Sequence, residues 1–159
     1  MTGKMWKALA LAAFVTSVPA VAQGNGNLST KVEVEKTVTG QDGQPGVKTY
    51  VTPDVVVPGD RVRISLAFTN NGAEPASGVV ISNPIPSALL FDGTDDPAGF
   101  AVSIDGGKQF SPLSDLTVPV GGAAPRAATA ADVTHVRWNW SDAIGPGQTR
   151  TVAFFGRVR

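Results

Sequence analysis

From Arg61 to Thr69 apolar and polar side chains alternate: Val62, Ile64, Leu66 and Phe68 fall on one side, and Arg61, Arg63, Ser65, Ala67 and Thr69 on the other. A period of two marks a β-strand with one face against a core and the other toward water. Turn formers bracket it. Pro58-Gly59 fits a type II turn, with proline setting φ at the first corner and glycine taking the positive φ at the second, and Asn70-Asn71-Gly72 closes the segment.

The same pattern recurs along the chain. Val32, Val34 and Val38 alternate with Lys31, Glu33, Glu35 and Thr37, which predicts a first strand over residues 30–38 with its valines toward the core. Residues 23–29 before it begin Gln-Gly-Asn-Gly-Asn and are expected to be a flexible lead-in. A loop over residues 40–46 leads to a short edge strand at Val47–Thr52, which Pro53 ends because proline has no ladder donor. Further strands are expected at Gly78–Ser82, Leu89–Phe91 and Phe100–Ile104. Asn83-Pro84-Ile85-Pro86 forms an extended corner, and Asp105-Gly106-Gly107 is a hairpin signal. Residues 111–132 are rich in Ala, Gly and Pro, and read as a long irregular connection with at most one strand near Leu116–Val118. Val136, Trp138 and Trp140 share one face of a late strand, and Val152, Phe154 and Val158 one face of the last. The only helix candidate beyond the first residues, Ala123–Ala131, is interrupted by Pro125. The expected fold is all-β: a two-sheet antiparallel sandwich of seven or more strands.

The first residues follow a different rule. Lys4 and Lys7, an apolar run from Ala8 to Val18, and Ala20-Val21-Ala22 make a positively charged start, a hydrophobic stretch and a small-x-small cleavage site. Residues 1–22 are therefore expected to be a cleaved export signal, too short in its apolar part for a spanning helix of about 20 residues. That leaves the lead-in and one sandwich domain over residues 30–159. The expected location is extracytoplasmic: secreted, at the cell surface or in the periplasm. No membrane span is expected in the mature chain.

Composition narrows the chemistry. The chain has no cysteine, so disulfides, thiol nucleophiles and cysteine-ligated metals are excluded and stability rests on packing and sheet hydrogen bonds. Its 13 Lys and Arg balance 13 Asp and Glu, and loss of Lys4 and Lys7 tips the balance slightly acidic. A nucleic-acid binder of this size carries a basic excess or stripe, so no nucleic-acid partner is expected.

Several residues invite a functional reading. Asp92, Asp95 and Asp96, with Asp105 nearby, supply hard oxygen ligands of the kind calcium takes, although Asp-Gly-Thr-Asp-Asp-Pro is equally a solvated turn. Calcium is the one cofactor the residues admit. Trp138 and Trp140 stack on a sugar ring if their face is open and serve as core if it is not. His135, the only histidine, has the opposite parity and reads as a surface or edge residue. No Gly-x-Ser-x-Gly elbow or His-Glu-x-x-His helix is present, so no catalytic residue is assigned and the chain is read as non-enzymatic.

The order of the pieces resembles the bacterial surface conserved-repeat domain, also called domain of unknown function family eleven. The likeness lies in Val57-Pro58-Gly59-Asp60, Thr69-Asn70-Asn71-Gly72, Ala76-x-x-Val79-Val80-Ile81, Pro84-Ile85-Pro86 and Gly145-Pro146-Gly147-Gln148 leading into Thr151-Val152-Ala153-Phe154. It implies an immunoglobulin-like sandwich in secreted or cell-surface proteins with structural or adhesive roles, and it brings no catalytic residues. The chain departs from that family in carrying a single copy. The resulting expectation is a structural or interaction module that binds a protein partner, or a second copy of itself, through exposed strand edges and loops. Residues 30–38 are the segment best suited to exchange between subunits. The alternative is a calcium- or glycan-binding domain.

Overall fold

The computed structural model describes residues 26–38 and 46–159. The expected export signal lies outside the described residues, as does most of the predicted loop after the first strand. Ten strands run in chain order: β1 (Gly26–Val38), β2 (Val47–Val51), β3 (Arg61–Asn70), β4 (Val80–Pro84), β5 (Leu89–Thr94), β6 (Phe100–Ser103), β7 (Thr117–Val120), β8 (Ala123–Ala127), β9 (His135–Asn139) and β10 (Thr149–Val158). Single 3-10 turns at Leu113–Asp115 and Ala130–Asp132 are the only helical pieces among the described residues. The fold is all-β with antiparallel sheets.

β3, the strand with the cleanest alternation, lies at the centre of a five-stranded sheet ordered β2-β1-β3-β10-β5. It pairs antiparallel with β1 from Val62↔Val34 to Asn70↔Gly26, and with β10 from Arg61↔Arg157 to Thr69↔Thr149. A three-stranded sheet ordered β4-β9-β6 and a separate β7–β8 hairpin complete the architecture. The predicted turn before β3 forms: Gly59 takes φ 93° and the Asp60 N–H donates to the Val57 carbonyl at 3.0 Å.

Apolar residues of both larger sheets form one buried cluster. Val62, Ile64 and Leu66 of β3, Val152 and Phe154 of β10, and Leu89 and Phe91 of β5 join Ile81, Val102, Val136 and Trp138 of the three-stranded sheet. Four aromatic rings run through it, with centroid separations of 5.9 Å for Phe91–Phe100, 4.9 Å for Phe100–Trp138 and 6.4 Å for Trp138–Phe154. Burial of such rings contributes heavily to stability, and the Trp138 Nε1–H is satisfied by the Asp96 carbonyl at 2.8 Å.

β4 runs into the expected Asn83–Pro84 corner and β5 through Asp92 to Thr94, and the structure departs further from the sequence expectations in three places. Strand begins at Gly26 rather than Thr30, because β3 runs on to Asn70 and its far end pairs with Gly26–Ser29. The glycine- and asparagine-rich composition reads as loose, but a ready-made partner strand orders it. Residues 111–132 hold the β7–β8 hairpin, with Thr117↔Ala127 and Val118↔Arg126 as partners, and the helix candidate splits into β8 and a 3-10 turn. A capping box between Thr129 and Asp132 opens that turn. Finally, Val32 and Val38 do not reach the core; of the three valines on β1 only Val34 does.

Candidate interaction surface

Residues directly opposite each other in an antiparallel pair share a face of the sheet. The register therefore sorts the side chains of the five-stranded sheet into two sets. Glu33 and Glu35 of β1, Lys48 and Tyr50 of β2, Arg61 and Arg63 of β3, and Phe155 and Arg157 of β10 stand on the face turned away from the shared core. Leu28, Thr30, Val32, Val34, Lys36 and Val38 of β1, Val47, Thr49 and Val51 of β2, and Val62, Ile64 and Leu66 of β3 stand on the other.

The outward face is closed by its own charges. The Arg61 guanidinium lies 3.8 Å from the Phe155 ring centroid while Nη1 donates to Glu35 and Nε to Asp92, each at 2.8 Å. Arg63 repeats the arrangement, 3.8 Å over Tyr50 and 2.6 Å from Glu33. Lys31 reaches Glu33 at 2.8 Å and Lys48 reaches Glu35 at 3.0 Å. Hydrogen bonds from Lys31 and then Arg63 hold the Glu33 carboxyl below the usual carboxylate range. Burial pushes Glu35 upward, but Lys48 and Arg61 outweigh it and leave Glu35 lowered as well. Each carboxylate of the network is shared between two cations, so the face carries a small excess of positive charge.

The inward face of β1 and β2 is not closed. Val34 is fully buried, whereas Leu28 is 46 % and Val32 44 % exposed on the same strand and the same face. Val38, Val47 and Val51 are exposed beside them. The buried cluster takes one residue from β1 and none from β2, so the three-stranded sheet covers the β3-β10-β5 side and the apolar face extends past its cover. Lys36 and Thr49 stand among these residues, with Lys36 3.9 Å from Asp60, so the exposed apolar side chains are interrupted by one cation. Exposed apolar surface rimmed by polar groups marks interaction sites.

An open edge adjoins that face. β2 pairs with β1 only from Val34 to Val38. Between Gly26 and Glu33, β1 has β3 on one side and, among the described residues, no strand on the other. Alternate backbone N–H and C=O groups there point outward, a template for another strand. Among the described residues the outer edges of β2, β4 and β5 are also open, but β2 and β4 are five residues long, β4 ends at Pro84, and the β5 pairing slips between Phe154 and Gly156. A short proline-ended strand and a bulge are ways of blunting an edge.

The residues singled out from sequence fall elsewhere. Asp92 Oδ2 accepts from Arg61 and from Arg157, the latter at 3.1 Å. Asp96 Oδ2 accepts the Ala153 N–H at 2.8 Å, while Thr94 Oγ1 donates to the Ala153 carbonyl at 2.6 Å, so this turn fastens β5 to β10. Asp95 is exposed on the turn. Asp105 lies in a different loop, where its Oδ1 accepts from Ser103 and from the Lys108 and Gln109 amides, and these bonds lower its pKa. Among the described residues no three or more His, Asp or Glu side chains gather as a metal ion requires.

Trp138 and Trp140 are buried in the core, so neither ring is open to a sugar face. His135 is half-buried with Nδ1 3.2 Å from Thr134 Oγ1. An open depression of about 340 Å³ lies between the β6 loop and the β7–β8 hairpin, lined by Ile104, Asp105, Leu116, Val118 and Asp132 among others. Asp132 is held far below the ordinary carboxylate value by Arg126, with added hydrogen bonds from Thr129, so both carboxylates at the depression are already engaged. No helix among the described residues is long and apolar enough to cross a membrane.

Comparison with family models, with curated proteins and with solved structures finds no match for this chain.

Proposed function

We propose that this chain is an exported, non-catalytic interaction module. In this reading it is an immunoglobulin-like β-sandwich of the conserved-repeat kind that works outside the cytoplasm and binds protein through an exposed strand edge and the apolar face beside it. The observation that carries the reading is the mismatch between β1–β2 and the rest of the core. Leu28, Val32, Val38, Val47 and Val51 present an apolar face that the chain's second sheet leaves uncovered. The outward face, by contrast, is covered by a network of ion pairs in which every carboxylate is held by two cations, and it presents no exposed apolar row. Main-chain hydrogen bonds along an open edge supply affinity, and alternate side chains supply selectivity. Export is supported by the charged, apolar and small-x-small order of residues 1–22.

The full chain is produced in an export-competent bacterial host with a photo-crosslinking residue at Val51, and as a control at Lys108, which lies away from β1 and β2. The expected result is a processed chain beginning at Gln23 in the extracytoplasmic fraction, with discrete protein adducts from position 51 and none from 108. A chain kept unprocessed in the cytoplasm, or equal labelling from both positions, overturns the reading.

A further inference from the structure

The open stretch of β1 carries a register that fits its own copy. We propose that a second copy of this chain pairs with Gly26–Glu33, antiparallel, about a two-fold axis at Thr30, and joins the two five-stranded sheets into one. This rests on the module reading above and names its partner.

Symmetry limits the choices. A two-fold axis that extends a sheet runs perpendicular to it and sets one residue opposite itself, so each register is fixed by the residue on the axis. β2 occupies the edge from Val34 onward, which limits pairing to residues up to Glu33. With the axis at Val32, only Lys31 to Glu33 can pair. With the axis at Lys31, two ammonium groups face each other, which is unfavourable. With the axis at Thr30, all of Asn27 to Glu33 pairs. Leu28 then meets the second copy's Val32 and Val32 meets its Leu28, while Thr30 meets Thr30, Ser29 meets Lys31 and Asn27 meets Glu33.

That register sets no like charges opposite each other, and it brings together the apolar residues that are 46 % and 44 % exposed on the single chain. Opposed aliphatic side chains and opposed threonines are favourable cross-strand pairs. Lysine on an edge strand commonly repels a second strand. Here Lys31 is drawn 2.8 Å from Glu33 of its own chain, which Arg63 also holds, and the register sets it opposite the uncharged Ser29 rather than a second lysine. The uncovered faces of β1 lie on the same side of the joined sheet and become continuous across the axis.

The test uses the absence of native cysteine. Directly opposed residues in an antiparallel pair have Cβ atoms about 5 Å apart, within reach of a disulfide with modest adjustment. Thr30→Cys is therefore expected to yield, on oxidation, a species of twice the chain mass. Leu28→Cys or Val32→Cys alone places the two sulfurs four residues out of register, about 13 Å along the strand, and is expected to give none. An equimolar mixture of L28C and V32C is expected to cross-link. Sedimentation of the unmodified purified chain is expected to show a monomer–dimer equilibrium that shifts with concentration.

A chain that stays monomeric at every concentration overturns the proposal. So does a dimer in which L28C cross-links to itself and T30C does not. If T30C proves unstable by thermal melting, the L28C and V32C mixture decides alone. A purified monomer that still gives position-51 adducts in cells removes the self-pairing and leaves the module reading standing. Cytoplasmic retention with a purified dimer does the reverse.

Discussion

Arg61 lies flat over Phe155, 3.8 Å from guanidinium carbon to ring centroid, and so roofs a phenylalanine buried on the face of the sheet that points away from the core. The same guanidinium, on β3, ties β1 to β5 across the intervening β10 through Glu35 and Asp92. Arg61→Ala removes the roof and leaves Glu35 without one of its two cationic partners. The combined loss of a partly desolvated cation–π contact and charged hydrogen bonds is about 2–3 kcal/mol. Arg61→Lys keeps the charge but not the planar fork, and is expected to recover less than half of it. Urea unfolding followed by tryptophan fluorescence measures both, and equal stability of all three proteins would dismiss the role.

Glu33 and Glu35 make the protein acid-sensitive in a stated direction. Both carboxyls are held below their ordinary value of 4.5 in the folded chain, Glu33 by Lys31 and Arg63, Glu35 by Lys48 and Arg61 against its burial. A group whose pKa is depressed on folding contributes stability above its unfolded pKa, and loses that contribution as pH falls through the folded one. The melting temperature is therefore expected to be flat from about pH 8 to 6 and to decline below about pH 4.5. Glu33→Gln should melt lower than the parent at pH 7 and show a shallower decline in acid. Parallel melting curves for the two proteins across pH 3 to 7 would contradict this.

How far the sequence carries can be judged from single strands. On β3 the alternation is strict and both neighbours are long, so Val62, Ile64 and Leu66 are buried as their parity predicts. On β1 the alternation is nearly as good, yet Val32 is left exposed, because burial depends on how far the opposite sheet reaches and no local pattern encodes that. Phe155 is missed for a related reason. Parity assigns it to solvent, and it is buried only because Arg61 and Tyr50, distant in sequence, close over it. A strand near Leu116–Val118 is expected and β7 overlaps it, but β8 and the hairpin go unrecognised because β8 is made mostly of alanine and is wholly exposed, with no apolar face to impose a period. The open edge of β1 is invisible in sequence for the same reason as Val32: the short reach of β2 is a property of pairing. Of the aspartates read as turn residues, Asp95 and Asp96 lie beyond the strand, whereas Asp92 belongs to β5, which runs on to Thr94. Their hydrogen bonds to β10 and to arginines of β3 and β10 depend on long-range packing.

Asn70 holds the end of β3 through a buried amide. Its Nδ2 donates to the Glu74 and Ile144 carbonyls, each at 2.8 Å, and its Oδ1 accepts the Gly72 N–H at 2.9 Å. Asn70→Asp keeps the shape but turns two donors into an acceptor facing two carbonyl oxygens. The expected cost is about 3 kcal/mol, since two buried acceptors lose their partners. Asn70→Asp protein unfolding at the same urea midpoint as the parent would rule this out.

Gly99 precedes β6 with φ at 70°, and a Cβ at this position would run into the Asn139 carbonyl oxygen of β9. That backbone oxygen cannot move away freely, because β9 is held between β4 and β6. Gly99→Ala is expected to cost about 2 kcal/mol or more through combined left-handed backbone strain and collision. Gly121→Ala, where a Cβ meets open space and φ is not positive, should be neutral and serves as the control in the same thermal melt.

Calcium is expected to leave the folded protein unchanged. Asp92 offers its carboxylate to Arg61 and Arg157, and a cation there must displace two guanidinium groups. Asp96 is committed to the Ala153 amide, which leaves Asp95 as the one exposed member of the three. A single exposed carboxylate falls short of the six or more oxygens that calcium takes. Addition of millimolar calcium should therefore not move the melting temperature. Asp92→Asn should lower stability by about 1 kcal/mol, a modest figure because the carboxylate is partly solvated, and should do so equally with and without the ion. A calcium-dependent rise in melting temperature that Asp95→Asn abolishes would instead establish the turn as a metal site, with Arg61 and Arg157 rearranged to admit it.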